Sequence, residues 1–124
     1  MSEIYRSVPQ QQDKLLGRVD DEGQVLRDVA RAPDERVGHV TRDGQVYRHR
    51  ALRPDERVGY VDKKRDVYRD VSRGRDRRVG RVDRNGEIYA RVSDDEERRV
   101  GKATGKRSLQ HGAAALLLLL TKQE

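Results

Sequence analysis

Apolar residues return along this chain at a fixed step. Gly17, Gly38, Gly59, Gly80 and Gly101 stand 21 residues apart. Each follows an apolar residue (Leu16, Val37, Val58, Val79, Val100) and precedes another by two positions (Val19, Val40, Val61, Val82, Ala103). A second apolar series, Ile4, Val25, Val46, Val67 and Ile88, keeps the same step, and beside it run Tyr5, Leu26, Tyr47, Tyr68 and Tyr89. An acidic series, Asp13, Asp34, Asp55, Asp76 and Glu97, does the same without one insertion. Self-similarity at a fixed period is the sequence mark of a repeat architecture.

Each unit reads as a β-hairpin. Its first strand is of the type "RVGHV" and its second of the type "QVYRH". β-Branched and aromatic residues suit a pleated, half-buried surface. The segments between are "DEG", "RDG", "KKR" and "RNG"; Asp-Gly and Asn-Gly are strong hairpin signals because glycine tolerates positive φ. Arg65 takes the glycine position in the third unit, where a strained or altered turn is expected. Helical repeats are the weaker assignment, since glycine inside each unit costs a helix about 1 kcal/mol relative to alanine. A two-residue loop would pair Val40 with Tyr47, and a three-residue loop with a bulged glycine would pair Val40 with Val46. The second puts Gly38, Val40 and Val46 on one face and leaves Tyr outward or between units.

The phase of the repeat predicts how the ends meet. The chain begins with a second strand, "IYRSV", and its periodic part ends with a first strand, "RVGKA". Pairing residues 3–8 with residues 99–103 would complete a fifth hairpin and close the array. An open array would leave two strand edges, each a template for aggregation. The expected fold is all-β: a closed ring of five hairpin repeats over residues 1–105 with a split closing hairpin, and a C-terminal apolar α-helix within residues 106–124.

The repeated "VGxV…DGxVY" unit, closed by a split unit, resembles the bacterial β-flower proteins, in which short hairpins radiate about a pseudo-symmetry axis. The resemblance covers residues 3–105. It implies a fold and carries over neither catalytic residues nor a function. Hairpin repeats of the MORN type, the second-ranked resemblance, share the glycine and tyrosine but normally carry more aromatics and glycines.

From Lys106 the period stops. "AAALLLLL", Ala113–Leu120, is apolar on every side of a helix, because successive residues turn about 100°. Such a helix needs burial all round, and Ser108 is placed to cap its start. The favoured reading is a plug across or within the end of the ring. Self-association through residues 112–120 is a second reading and membrane contact a third; the run is far short of the roughly 20 residues a spanning helix needs.

Composition narrows the function classes. The 124 residues include 40 % charged and 33 % hydrophobic ones, with no Cys, Phe or Trp, so thiol chemistry, disulfides and Cys-ligated metals are excluded. The N-terminus lacks a secretory pattern, and a soluble, cytoplasmic protein is expected. Net charge is +6, but acids are interleaved with the bases. Arg6, Arg27, Arg48 and Arg69 share one repeat position, broken by Ala90; Arg36, Arg57, Arg78 and Arg99 share another, broken by Leu15. Salt bridges between units, from loop acids such as Asp34 and Asp55, are the plain reading. A guanidinium ring clamping phosphate or carboxylate is the functional one, with Arg6, Arg27, Arg48 and Arg69 as the anion-contact surface. Nucleic-acid binding would be salt-sensitive but matches no recognised module. His39, His49 and His111 fall at variable positions, which suits solvent exposure, and they make no metal set. Ser7, Ser72 and Ser93 lie near strand ends without a matching His. No cofactor or catalytic set is expected. The expected function is a non-catalytic binding or assembly module, with anionic-ligand or nucleic-acid binding, and oligomerisation through the C-terminal helix, as alternatives.

Overall fold

The computed structural model of the protein describes residues 1–71 and 75–120. Ten antiparallel strands form a closed barrel: β1 (Ser2–Arg6), β2 (Lys14–Val19), β3 (Gln24–Arg27), β4 (Glu35–Val40), β5 (Gln45–Arg50), β6 (Arg53–Val61), β7 (Asp66–Arg69), β8 (Arg77–Val82), β9 (Glu87–Ser93) and β10 (Glu96–Ala103). Neighbours in sequence are neighbours in the sheet. The circle is completed by β1 against β10, with Ile4 opposite Ala103 and Arg6 opposite Gly101. Closure leaves no unpaired edge among the described strands.

The register sets the inner face. Val19 pairs with Val25, Val40 with Val46, Val61 with Val67 and Val82 with Ile88. All of them, with Ile4 and Ala103, are buried. The tight turns carry positive φ at Gly23, Gly44 and Gly86, and at Arg65 with φ 72°. One side chain organises each of them: Asp83 Oδ1 accepts the N–H groups of Asn85 and Glu87, both at 2.9 Å. Asp20 and Asp62 do the same in their turns, and Thr41 Oγ1 accepts the Gln45 N–H. The turn carbonyl of Gly23 then accepts the Val40 N–H of the next strand pair at 2.8 Å, and Gly44, Arg65 and Gly86 repeat that link. Each turn is thereby tied to its neighbour.

The "VG" step has a distinct cause. Between β5 and β6, Val46 faces Gly59 and Tyr47 faces Arg57, so Val58 is left over as a bulge. Leu16, Val37, Val79 and Val100 are skipped in the same way. A bulge sets two residues of one strand against one of its partner and bends the strand. The bulged residues pack partly buried against the core.

The C-terminal run fills the barrel. Helix α1 (Ser108–Ala115) continues into a π-helical turn, Leu116–Leu120. Residues from His111 to Leu119 are buried. Leu118, Leu117 and Leu116 lie against Gly38, Gly59 and Gly80 in turn, and Leu120 against Gly101. Successive leucines thus step from one strand pair to the next, and the fifth comes round to the strand pair beside the first. An α-helix, at about 100° per residue, would distribute five consecutive side chains unevenly about the axis. The wider i→i+5 turn, rare in proteins, spreads them around it.

Three expectations are corrected here. The helix is α only in its first half. Ser108 is not its cap; Arg107 holds that place, and no side chain caps it. Self-association through residues 112–120 loses its basis, because Ala113–Leu119 are at most 8 % exposed inside one chain. Thr121–Glu124 lie outside the described residues. Among the described residues no helix is long and apolar enough to cross a membrane.

Candidate anion-binding site

The four arginines singled out by sequence occupy one end of the barrel. Each shares a strand face with a buried residue two positions earlier: Ile4 with Arg6, Val25 with Arg27, Val46 with Arg48, Val67 with Arg69. Each also pairs across to a lumen-facing glycine: Arg27 to Gly17, Arg48 to Gly38, Arg69 to Gly59, Arg6 to Gly101. In the remaining pair Ala90 stands opposite Gly80. Alternation along a strand therefore directs these four residues at the lumen mouth, on the side away from the tight turns.

Arg6 and Arg27 are exposed, whereas Arg48 and Arg69 are half-buried. Arg48 Nε and Nη2 are shut off from solvent and have no hydrogen-bond acceptor among the described residues. A buried donor left unpaired costs about 1–3 kcal/mol, more when charged. The plug helix starts near the turns, where Gln110 donates to the Arg42 carbonyl at 3.1 Å. From there the described run proceeds along the lumen toward the arginine mouth, with Leu116, Leu117, Leu118 and Leu120 at the level of the lumen-facing glycines.

The other arginine series does different work. Arg36 holds Asp55 at 2.6 Å, Arg78 reaches Asp66 at 3.0 Å and Glu97 at 3.3 Å, and Arg99 takes Asp13 at 2.8 Å along with Glu87. These are the inter-unit ion pairs the sequence suggested. The Arg36 guanidinium holds the Asp55 carboxyl down at about 2 against the opposing effect of burial, and His39 adds to it. His39 Nδ1 lies 2.7 Å from Asp55 and His49 Nδ1 3.5 Å, so both belong to this network. Tyr47 and Tyr68 face outward, stacking on His39 at 4.6 Å and Tyr60 at 5.1 Å between ring centroids. Arg81 lies over Tyr89.

His111 corrects the solvent reading. It is 4 % exposed, and its Nδ1 lies 2.6 Å from Ser2 Oγ, itself buried. Burial first, then the Met1 ammonium and Arg107, push its pKa down to about 4. This pair joins the two ends of the chain, which no local pattern could announce. His111 borders a cavity of about 330 Å³ at the turn end, reached also by His39, Thr41 and Arg107. Ser72 lies outside the described residues. Among the described residues no group of three or more His, Asp or Glu is placed to hold a metal.

Comparison with protein-family models, with curated protein sequences and with solved structures finds no match to this chain.

Proposed function

We propose that this protein is a non-catalytic binding module of β-flower type, five hairpins set about one axis, and that its arginine-lined mouth takes an anionic group of its partner. The supporting observation is Arg48, whose Nε and Nη2 are buried beside the lumen with no acceptor among the described residues. Arg6 and Arg27, at the same repeat position, also have no side-chain hydrogen bond or ion pair to a described residue. Guanidinium groups converging on an axis suit a compact oxyanion, phosphate or carboxylate, which arginine binds through paired N–H donors. An extended nucleic-acid strand would meet only the rim. The Ser2–His111 pair does not favour catalysis, since Ser2 is 1 % exposed and a nucleophile must reach its substrate.

The test is retention of the full chain on phosphocellulose. Retention should fade with salt, as screening shortens the reach of exposed charges. The variant Arg6→Gln/Arg27→Gln/Arg48→Gln should elute early. A charge-matched control at the turn end, Arg42→Gln/Lys63→Gln/Arg84→Gln, should elute close to the parent. Equal loss in both would reduce the mouth to general basicity and overturn the reading.

A further inference from the structure

Three of the four outward arginines lie in a recurring cradle, while Arg57 pairs instead with Asp70 at 3.6 Å. Arg36 donates to Gln24, twelve residues earlier, and to Asp55, nineteen later. Arg78 does the same with Asp66 and Glu97, at the same separations. Arg99 does so with Glu87, and with Asp13 across the closure. The acid on the later side is regularly shared. His39 joins Arg36 on Asp55, and Arg81 joins Arg78 on Glu97.

Position 15 belongs to this series and carries leucine. Leu15 pairs with Tyr5, just as Arg36 pairs with Leu26, Arg78 with Tyr68 and Arg99 with Tyr89. The two cradle residues for position 15 are Glu3 and Asp34. Both are present, both are acidic, and both border a cavity of about 250 Å³ together with Leu15, Met1, Arg18 and Asp28. The companion cation is present too: Arg18 Nη2 holds Asp34 at 2.6 Å. The Glu3 carboxylate has no hydrogen bond or ion pair to a described residue. Half of the arrangement seen at Asp55 and Glu97 is therefore built here, and the guanidinium is missing.

We propose that this cavity is a guanidinium-binding site, and that its occupant is an arginine side chain of a partner polypeptide, lying between Glu3 and Asp34 over Leu15. The chain's own units supply the template, since they show what the corresponding residues hold. A guanidinium has a planar fork of donors that can bridge two carboxylates, which the point charge of lysine cannot match. Leu15, 40 % exposed, and Met1, 65 % exposed, give the methylene stem of an incoming arginine an apolar wall.

The experiment titrates the full isotope-labelled chain with N-acetyl-arginine methylamide and follows amide and methyl shifts. Saturable shifts are expected at Glu3, Leu15 and Asp34, with dissociation in the millimolar range (about 1 mM) appropriate to a small partly exposed contact. The neutral isostere N-acetyl-citrulline methylamide should give none. Asp34→Asn should weaken binding about tenfold, as loss of a charge-assisted hydrogen bond does. Leu15→Arg should fill the cradle from within, abolish binding and raise the melting temperature by a few degrees. Equal shifts from arginine and citrulline, or undiminished arginine binding to Asp34→Asn, would overturn the proposal. The triple glutamine variant of the mouth should bind arginine unchanged, which separates this site from the anion reading.

Discussion

Replacing Gly59 or Gly17 by alanine separates two reasons for the glycine series. A Cβ built on Gly59 would overlap the Tyr68 carbonyl oxygen and stand 2.7 Å from Leu117 Cδ1. The first obstacle is backbone on the adjoining strand; the second is the far end of a side chain that can rotate away. At Gly17 the nearest atoms are the Leu26 carbonyl oxygen and carbon and the Arg27 Cα, with no leucine of the plug among them. Overpacking that forces backbone shifts costs about 1–3 kcal/mol, and alanine regains roughly 0.5–1 kcal/mol over glycine in a strand. Because a carbonyl within the hydrogen-bonded ladder yields little, a net loss of about 2 kcal/mol is expected at both positions. That is a large share of a total stability of about 5–15 kcal/mol. Urea unfolding followed by circular dichroism measures it, with unchanged m-values confirming that stability alone has moved. A near-neutral Gly17→Ala beside a costly Gly59→Ala would refute the argument and assign the glycines to the plug leucines instead.

Other outcomes follow from single contacts. His111 is held near pKa 4 when folded and returns to 6.5 when unfolded, so the unfolded chain binds the extra proton between those values. Stability should therefore be complete above pH 6.5 and fall by on the order of 3 kcal/mol toward pH 4, and His111→Asn should flatten that part of the urea midpoint profile. The groups facing His111 are the Met1 ammonium and Arg107, which oppose its charge, and Asp20 and Asp21, which favour it. Asp55, at about 2 when folded, adds stability that is lost only below that window, as pH falls through its unfolded value of 3.8 toward 2. Arg65→Gly should stabilise the fold by about 0.5–1 kcal/mol in thermal melts, since φ 72° strains an L-residue there. A loss would mean that its Nη1 bond to the Asp83 carbonyl, at 3.1 Å, outweighs the strain. Asp83→Ala should cost about 1–2 kcal/mol by removing the acceptor for two turn N–H groups, and Asp83→Asn should recover most of it.

The closed β architecture was legible because side-chain periodicity reports which residues must share a face. Valines at fixed intervals predict buried rows, and a strand missing at each end predicts that the termini pair. The bulge at Val58 was not legible. The "VG" pair shows that an apolar residue precedes each glycine, but only the ladder shows that Val46 and Tyr47 skip it. The Asp20, Thr41, Asp62, Asp83 and Thr104 row keeps the same 21-residue step and could have been found; its mixed Asp and Thr share a turn-forming oxygen rather than a hydropathy, so a hydrophobic search passes over it. The π-helical turn was out of reach because "LLLLL" satisfies any helix. What selects the wider winding is the spacing of glycines on strands far away in sequence. His111 escaped for the same reason, since its partner Ser2 lies 109 residues away.

A departure from the period marks a position that the fold does not require to be filled alike. A repeated position filled alike in most units satisfies the fold: the Val rows pack, and Arg36, Arg57, Arg78 and Arg99 bind acids. At position 90 alanine takes an arginine's place, which leaves the mouth lined from four strands and open on the fifth. At position 15 leucine takes an arginine's place while Glu3 and Asp34 keep theirs. The first change removes a charge from the ring, and the second removes a ligand from its cradle. Only the second leaves complementary groups facing an empty volume, and for that reason the leucine, rather than any arginine, is the residue whose substitution says most about what this protein meets.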